Sequence, residues 1–136
     1  MVRTTDYYQL YRKLTDEQHL IRESTAQWVD SFIKPKMEES YREGRVLDDV
    51  VEKLAEIGGF GLIIPEAYGG MGADYISYGL MMQELERGDT SIRVLSSIQT
   101  SLVMYAINRF GSEAQKEYYL PKLATGELLG AFGLTE

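Results

Sequence analysis

The stretch from Glu84 to Arg109, ELERGDTSIRVLSSIQTSLVMYAINR, places the tightest limits on what this chain can fold into. After Asp89 it is long, mostly apolar or small, and helical in period. Ile92, Leu95 and Ser96, Gln99, Leu102 and Val103, and Ala106 recur at steps of three and four. Asp89, Thr90 and Ser91 each carry a side chain suited to an N-cap. Arg93 is the only charged residue between Asp89 and Arg109. A helix apolar on all sides is normally a central, buried one, and an unpaired charge buried there is very costly. The stretch therefore demands a bundle of helices around it and a partner for its guanidinium.

The rest of the chain supplies the bundle. Thr15-Asp16-Glu17-Gln18 has the form of a capping box, and Ile21, Thr25, Trp28, Val29 and Phe32 mark one face of the helix it opens. Pro35 is expected to end or bend that helix, and a polar turn or two closes at Gly44. Leu47 to Gly58 reads as a second amphipathic helix, with Val50, Val51, Leu54 and Ile57 inward. A Gly-rich connector, FGLIIPEAYGGMGADY, leads to a third helix from about Tyr75 to Arg87. Beyond Gly111, Ser112-Glu113-Ala114-Gln115 repeats the capping-box pattern for a last helix that Pro121 kinks and Gly126 ends. The lead-in aromatics Tyr7, Tyr8 and Tyr11, with Leu10, suggest docking onto this bundle. The fold expected is all-α, five to six helices over residues 1–127. Residues 128–136 are an apolar, Gly-containing run expected to be extended or a strand stub, belonging to a sheet that this chain does not contain.

Composition removes several functions. The chain has no cysteine, so disulfides, thiolate catalysis and thiolate metal sites are excluded. Its single histidine, His19, excludes a multi-histidine metal site within the chain and reads as a surface residue. The net charge of −7 argues against a broad nucleic-acid surface, though not against a local basic site for a small anion. The N-terminus has no apolar targeting core, and no stretch reaches the ~18 apolar residues of a membrane span. A soluble, cytoplasmic protein is the expectation.

Catalytic material is scarce: there is no nucleophile triad, phosphate loop or pyrophosphate fingerprint. Gly69-Gly70-Met71-Gly72 reads as a turn rather than a ligand loop. Two readings of Arg93 stay open. It pairs with Asp89 at i,i+4 or with Glu86 across the turn, or it stands in a cavity and grips a carboxylate with two parallel hydrogen bonds. The small residues Ser96, Ser97 and Thr100 favour a cavity, since they leave room beside the helix.

The segment GSEAQKEYYLPKLATGELLGAFGLTE resembles the passage from the helical N-terminal domain of acyl-CoA dehydrogenases into their middle β-domain. LTDEQHLIRE, LAEIGGFGLIIPEAYGGMGADY and ELERGDTSIR extend the resemblance over nearly the whole chain from Leu14. Within the family, GDTSIRVLSSIQTSLVM with FGLTE looks most like the glutaryl-CoA dehydrogenases. The resemblance implies an enzyme of three domains, usually a homotetramer, that binds FAD. A glutamate takes the α-proton of an acyl-CoA thioester while the β-hydrogen passes as hydride to the flavin. In glutaryl-type enzymes the distal carboxylate is often then lost as CO2.

By the same resemblance, Arg93 matches the arginine that grips the distal carboxylate of the substrate. Glu86, Val94 and Ser97 fall at that end of the pocket. Phe132, Gly133, Leu134, Thr135 and Glu136 match the strand against the flavin ring. A small hydroxyl residue commonly follows this arginine in glutaryl-type sequences; here Val94 stands there. None of the carboxylates in the chain matches the catalytic base, so no catalytic residue is assigned and the 136-residue chain by itself is expected to be inactive. The competing reading is a helical interaction module without catalysis, which buries the Leu128–Leu134 run against a partner or its own copy.

Overall fold

The computed structural model describes residues 6–134. Five helical rods account for its secondary structure, apart from short 3-10 turns at Leu10–Lys13 and Glu66–Tyr68. The first rod, α1, spans 16–43. Its start is fixed by the capping box: the Thr15 hydroxyl accepts from the Gln18 amide at 3.2 Å, and the Gln18 side chain accepts from the Thr15 amide at 3.0 Å. The same Gln18 side chain donates to Asp74 at 2.7 Å, and Asp74 in turn caps the third rod by accepting from the Ser77 amide at 2.7 Å. One amide thus ties two helix starts together.

Pro35 does not end α1. The rod passes from α-helix (Asp16–Trp28) through a π-helical turn (Val29–Ile33) into α-helix again (Lys34–Glu43). The wide turn lies just ahead of the proline, where its ring would otherwise press on the preceding carbonyls. Helix α2 is shorter than the periodicity implies, Val50–Glu56, because Leu47–Asp49 form a turn. Helix α3 is Tyr75–Gly88. The rod α4 spans 90–110 and contains a second π-helical stretch, Ile98–Met104. Helix α5 is Glu113–Ala124, opened by the second capping box and continuous through Pro121.

α1 packs along α3, and α3 along α4. The larger core gathers Val29 and Ile33 of α1, Leu54 of α2, Met81 and Leu85 of α3 and Phe60 of the connector. A smaller one sets Met104 of α4 against Leu120, Leu123 and Ala124 of α5 and Ile64 of the connector. The connector 57–74 folds back on itself: the amides of Met71, Gly72 and Ala73 donate to the carbonyls of Gly61, Ile64 and Leu62 at 3.2, 2.8 and 2.9 Å. A Cβ on Gly70 would lie 2.1 Å from the Ile64 oxygen, so this close crossing requires glycine.

Three expectations need correction. Helix α4 is not buried all round: Leu102, Tyr105 and Phe110 are exposed on it. Of the lead-in aromatics, Tyr7 and Tyr8 stand out in solvent; Tyr11 docks, its ring 4.0 Å beneath the Arg22 guanidinium and its hydroxyl accepting from Gln83 at 2.8 Å. The run 128–134 is non-helical, as expected, but is not a strand among the described residues.

Candidate functional site

The site is built on a single hinge residue. Asp89 is at once the C-cap of α3 and the N-cap of α4, with extended backbone at φ −161° and ψ 131°. Its carboxylate accepts from the Ile92 amide at 3.1 Å. The chain therefore reverses between two helices within one residue. Residues just before and just after the hinge meet, which brings Glu86 and Arg93 together.

Arg93 Nε donates to Glu86 Oε2 at 2.7 Å, and the Thr90 hydroxyl donates to Glu86 Oε1 at 2.8 Å. Both carboxylate oxygens are engaged. The Arg93 hydrogen bond first, and the Thr90 hydroxyl second, hold the Glu86 carboxyl below its ordinary value. Arg93 is not sunk in the core: its side chain is 32% exposed and that of Glu86 47%. Of the two pairings open from sequence, Glu86 is the partner, because Asp89 is occupied with capping. Among the described residues the terminal nitrogens of Arg93 make no hydrogen bond, so that end of the guanidinium stays available.

Val94 and Ser97 follow on α4, both half-buried. The Ser97 hydroxyl donates to the Val94 carbonyl at 3.0 Å, and the Ser101 hydroxyl donates to the Ser97 carbonyl at 2.6 Å. Ser96 and Thr100 do not border a cavity. Both are fully buried; the Ser96 hydroxyl donates to the Gly59 carbonyl, and Thr100 Oγ1 accepts from the Gly61 amide at 3.1 Å. Their small size lets the connector's backbone approach α4, rather than leaving space beside it.

At the far end of the site the terminal run leaves α5 over the π-helical part of α4. Phe132 is 50% and Leu134 76% exposed, and Gly133 between them is exposed. Thr135 and Glu136 lie outside the described residues. Gln99, 1% exposed, holds the run at its root through hydrogen bonds to Leu123, Leu128 and Gly130. Arg93 and Gln99 are six residues apart, about 9 Å along the helix axis.

Sequence reasoning missed two features. Gln99 is one; its signal is an amide on the buried register that Ile92 and Ser96 define. The other is a buried charge cluster. Glu84, 1% exposed, receives Arg87 Nε at 2.7 Å and lies 3.5 Å from Arg22, while Arg87 also donates to Asp30 at 2.7 Å and to the Ala26 carbonyl at 3.3 Å. The step Ser77, Met81, Glu84 puts that glutamate on the inward face of α3, and Arg87 follows at i+3. Among the described residues no group of three or more His, Asp or Glu could hold a metal, and no helix is long and apolar enough to cross a membrane.

Comparison with known proteins fits this architecture. The sequence profile of the acyl-CoA dehydrogenase N-terminal domain matches residues 15–127. An acyl-CoA dehydrogenase of Bacillus subtilis is 37% identical over 123 residues, 90% of this chain and 32% of the relative. A glutaryl-CoA dehydrogenase of Mycobacterium smegmatis, solved with FADH2, superposes with a TM-score of 0.85 at 33% identity over 91% of this chain and 32% of that one. The butyryl-CoA dehydrogenase of Megasphaera elsdenii superposes with a TM-score of 0.84 at 35% identity, over 90% of this chain and 33% of that one. The chain thus spans about a third of the length of these relatives. The match covers every helix from the capping box at Thr15 onward, and this chain belongs to the acyl-CoA dehydrogenase family, over its helical N-terminal domain.

Proposed function

We propose that this chain forms the helical wall of the acyl pocket in an FAD-dependent acyl-CoA dehydrogenase, and that Arg93 meets the distal carboxylate of a dicarboxylyl-CoA such as glutaryl-CoA. One observation carries the substrate reading: among the described residues Arg93 is fixed through Nε alone, so its terminal edge, the edge suited to two parallel bonds with a carboxylate, remains open. The Glu86 partner orients the guanidinium without using that edge. An ionised tail in a largely apolar pocket needs such a fixed counter-charge.

The terminal run fits a flavin ring. Past Gly130 it is non-helical and turns at Gly133, where the Leu134 amide donates to the Phe132 carbonyl at 2.9 Å; Phe132 and Leu134 are not covered by the helices, and the amides of Ala131, Phe132 and Gly133 donate to nothing among the described residues. Apolar surface with free backbone donors suits a planar ring with polar edges. FAD, when bound, supplies the two-electron acceptor for oxidation of the Cα–Cβ bond to the enoyl-CoA. This chain's residues bind and orient: Arg93 fixes the tail, Val94 keeps that end of the pocket apolar, and Phe132 to Leu134 seat the ring, with Thr135 and Glu136 continuing the same run. For a substrate whose carboxylate lies one carbon beyond the new double bond, loss of CO2 can follow, because the unsaturated thioester takes up the electron pair.

As in the family, the whole protein would carry a β-domain beginning in the 128–136 run and a C-terminal helical domain and assemble as a homotetramer. The interaction-module reading loses ground because the relatives are acyl-CoA dehydrogenases of about three times this length. The test is a substrate panel on the full-length holoenzyme. Higher kcat/KM for glutaryl-CoA than for butyryl-CoA is expected; a preference for the neutral acyl group would remove the dicarboxylate assignment.

A further inference from the structure

A buried amide needs a partner for each of its two N–H donors and for its oxygen, and Gln99 finds all three at one place, the end of α5 and the run after it. Its amide nitrogen donates to the Leu123 carbonyl at 2.9 Å and to the Leu128 carbonyl at 2.8 Å, and its oxygen accepts from the Gly130 amide at 2.9 Å. Leu123 is in the last turn of α5, and its carbonyl also accepts from the Gly126 amide at 3.3 Å. Leu128 lies in the turn that follows, closed by its own amide donating to the Lys122 carbonyl at 3.1 Å. Gly130 lies two residues past Leu128, beyond the turn. A single buried side chain on α4 therefore fixes the end of one helix, the reversal after it and the outgoing run.

A second contact acts at the same place. A Cβ on Gly130 would sit 2.5 Å from Val103 Cγ1, so the run lies flush against α4 there. Gln99 and Val103 both belong to the π-helical stretch Ile98–Met104. A π-helical register turns side chains away from the directions a regular α-helix would give them, and here both are aimed at Gly130. The run is held by α4 at Gly130 and stands clear at Phe132.

We infer that Gln99 is a positioning residue for the flavin: it sets the place and direction in which Phe132, Gly133 and Leu134 leave α4. It acts through the run and does not touch the ring itself. Since Arg93 stands on the same rod, one helix fixes both the tail of the substrate and the seat of the cofactor. This rests on the functional reading above.

The test uses the full-length holoenzyme with Gln99→Leu, Gln99→Glu and Gly130→Ala. Gln99→Leu removes all three bonds. Gln99→Glu keeps the acceptor for Gly130 and loses both donations. Gly130→Ala pushes the run off Val103 and leaves Gln99 in place. Expected are FAD binding weakened roughly tenfold or more in Gln99→Leu, the effect of losing a buried hydrogen bond, a shifted visible flavin band, and faster amide exchange over 128–134. Gly130→Ala should move the same readouts in the same direction. If Gln99→Leu fails to fold, the other two variants decide by the same measurements. A lowered melting temperature with unchanged FAD affinity and flavin spectrum in the folded variants would overturn the inference. A wild type that takes up no FAD would instead overturn the functional reading, and this inference with it.

Discussion

Arg93 and Glu84 both interrupt apolar stripes, and their surroundings assign them different work. Glu84 is enclosed, and Arg87 and Arg22 meet it inside the α1–α3 contact. Removing its charge leaves the partly buried Arg87 with Asp30 as its remaining acidic partner. Glu84→Leu is expected to cost about 3 kcal/mol in urea unfolding, the low end for breaking a buried pair from one side; a loss under 1 kcal/mol would mean the cluster is replaceable. Asp30 adds a pH signature. Hydrogen bonds from Arg87 first and Lys34 second hold its carboxyl at about 2, against an ordinary 3.8. A depressed pKa in the folded state stabilises fully above the unfolded value, and the contribution is lost as pH falls through the folded one. Stability measured from about pH 4 down to about pH 2 should fall more steeply in wild type than in Asp30→Asn. Sequence placed Arg93 beside Glu86 as one of two pairings. It could not show that Asp89 was committed to the Ile92 amide, because only the hinge geometry decides which carboxylate is free.

At the scale of elements, the helix starts were legible and the helix interiors were not. Both capping boxes formed at Thr15 and Ser112, because they depend on residues three apart in the chain. The two π-helical stretches had no such local signal. The first relieves Pro35 without breaking the rod. The second accompanies Ser96 and Thr100, whose hydroxyls reach the connector's backbone, and Ser97 and Ser101, whose hydroxyls bond carbonyls of their own helix. These depend on what packs alongside. The contact of α3 with α1 at the first π turn is tight: a Cβ on Gly88 would lie 2.7 Å from Val29 Cγ1. Gly88→Ala should therefore destabilise by about 1–3 kcal/mol despite alanine's better helix propensity. Thermal unfolding checks this, and an unchanged or raised melting temperature would show that the two rods can part at no cost.

For the molecule as a whole, the helical class and the order of helices followed from periodicity and caps, whereas the open surface did not. Leu102, Tyr105, Leu129, Phe132 and Leu134 stay exposed after two cores have formed. Hydrophobicity alone counted the residues of α4 as buried; it had no means of separating a side chain covered by this domain from one covered by another part of a larger enzyme. The 136-residue chain alone should show helical circular dichroism and no acyl-CoA dehydrogenase activity with an artificial electron acceptor, since none of its carboxylates matches the family's base. Turnover by the chain alone would contradict that division of labour.

The central claim is that Arg93, steadied by Glu86, exists to receive a carboxylate. Its most direct test compares Arg93→Gln with wild type in the full-length holoenzyme on glutaryl-CoA and butyryl-CoA. Loss of a charge-assisted pair predicts a fall in kcat/KM of about tenfold to a hundredfold on glutaryl-CoA and little change on butyryl-CoA. Equal losses on both substrates would contradict the claim and leave the Arg93–Glu86 pair as a brace between α3 and α4.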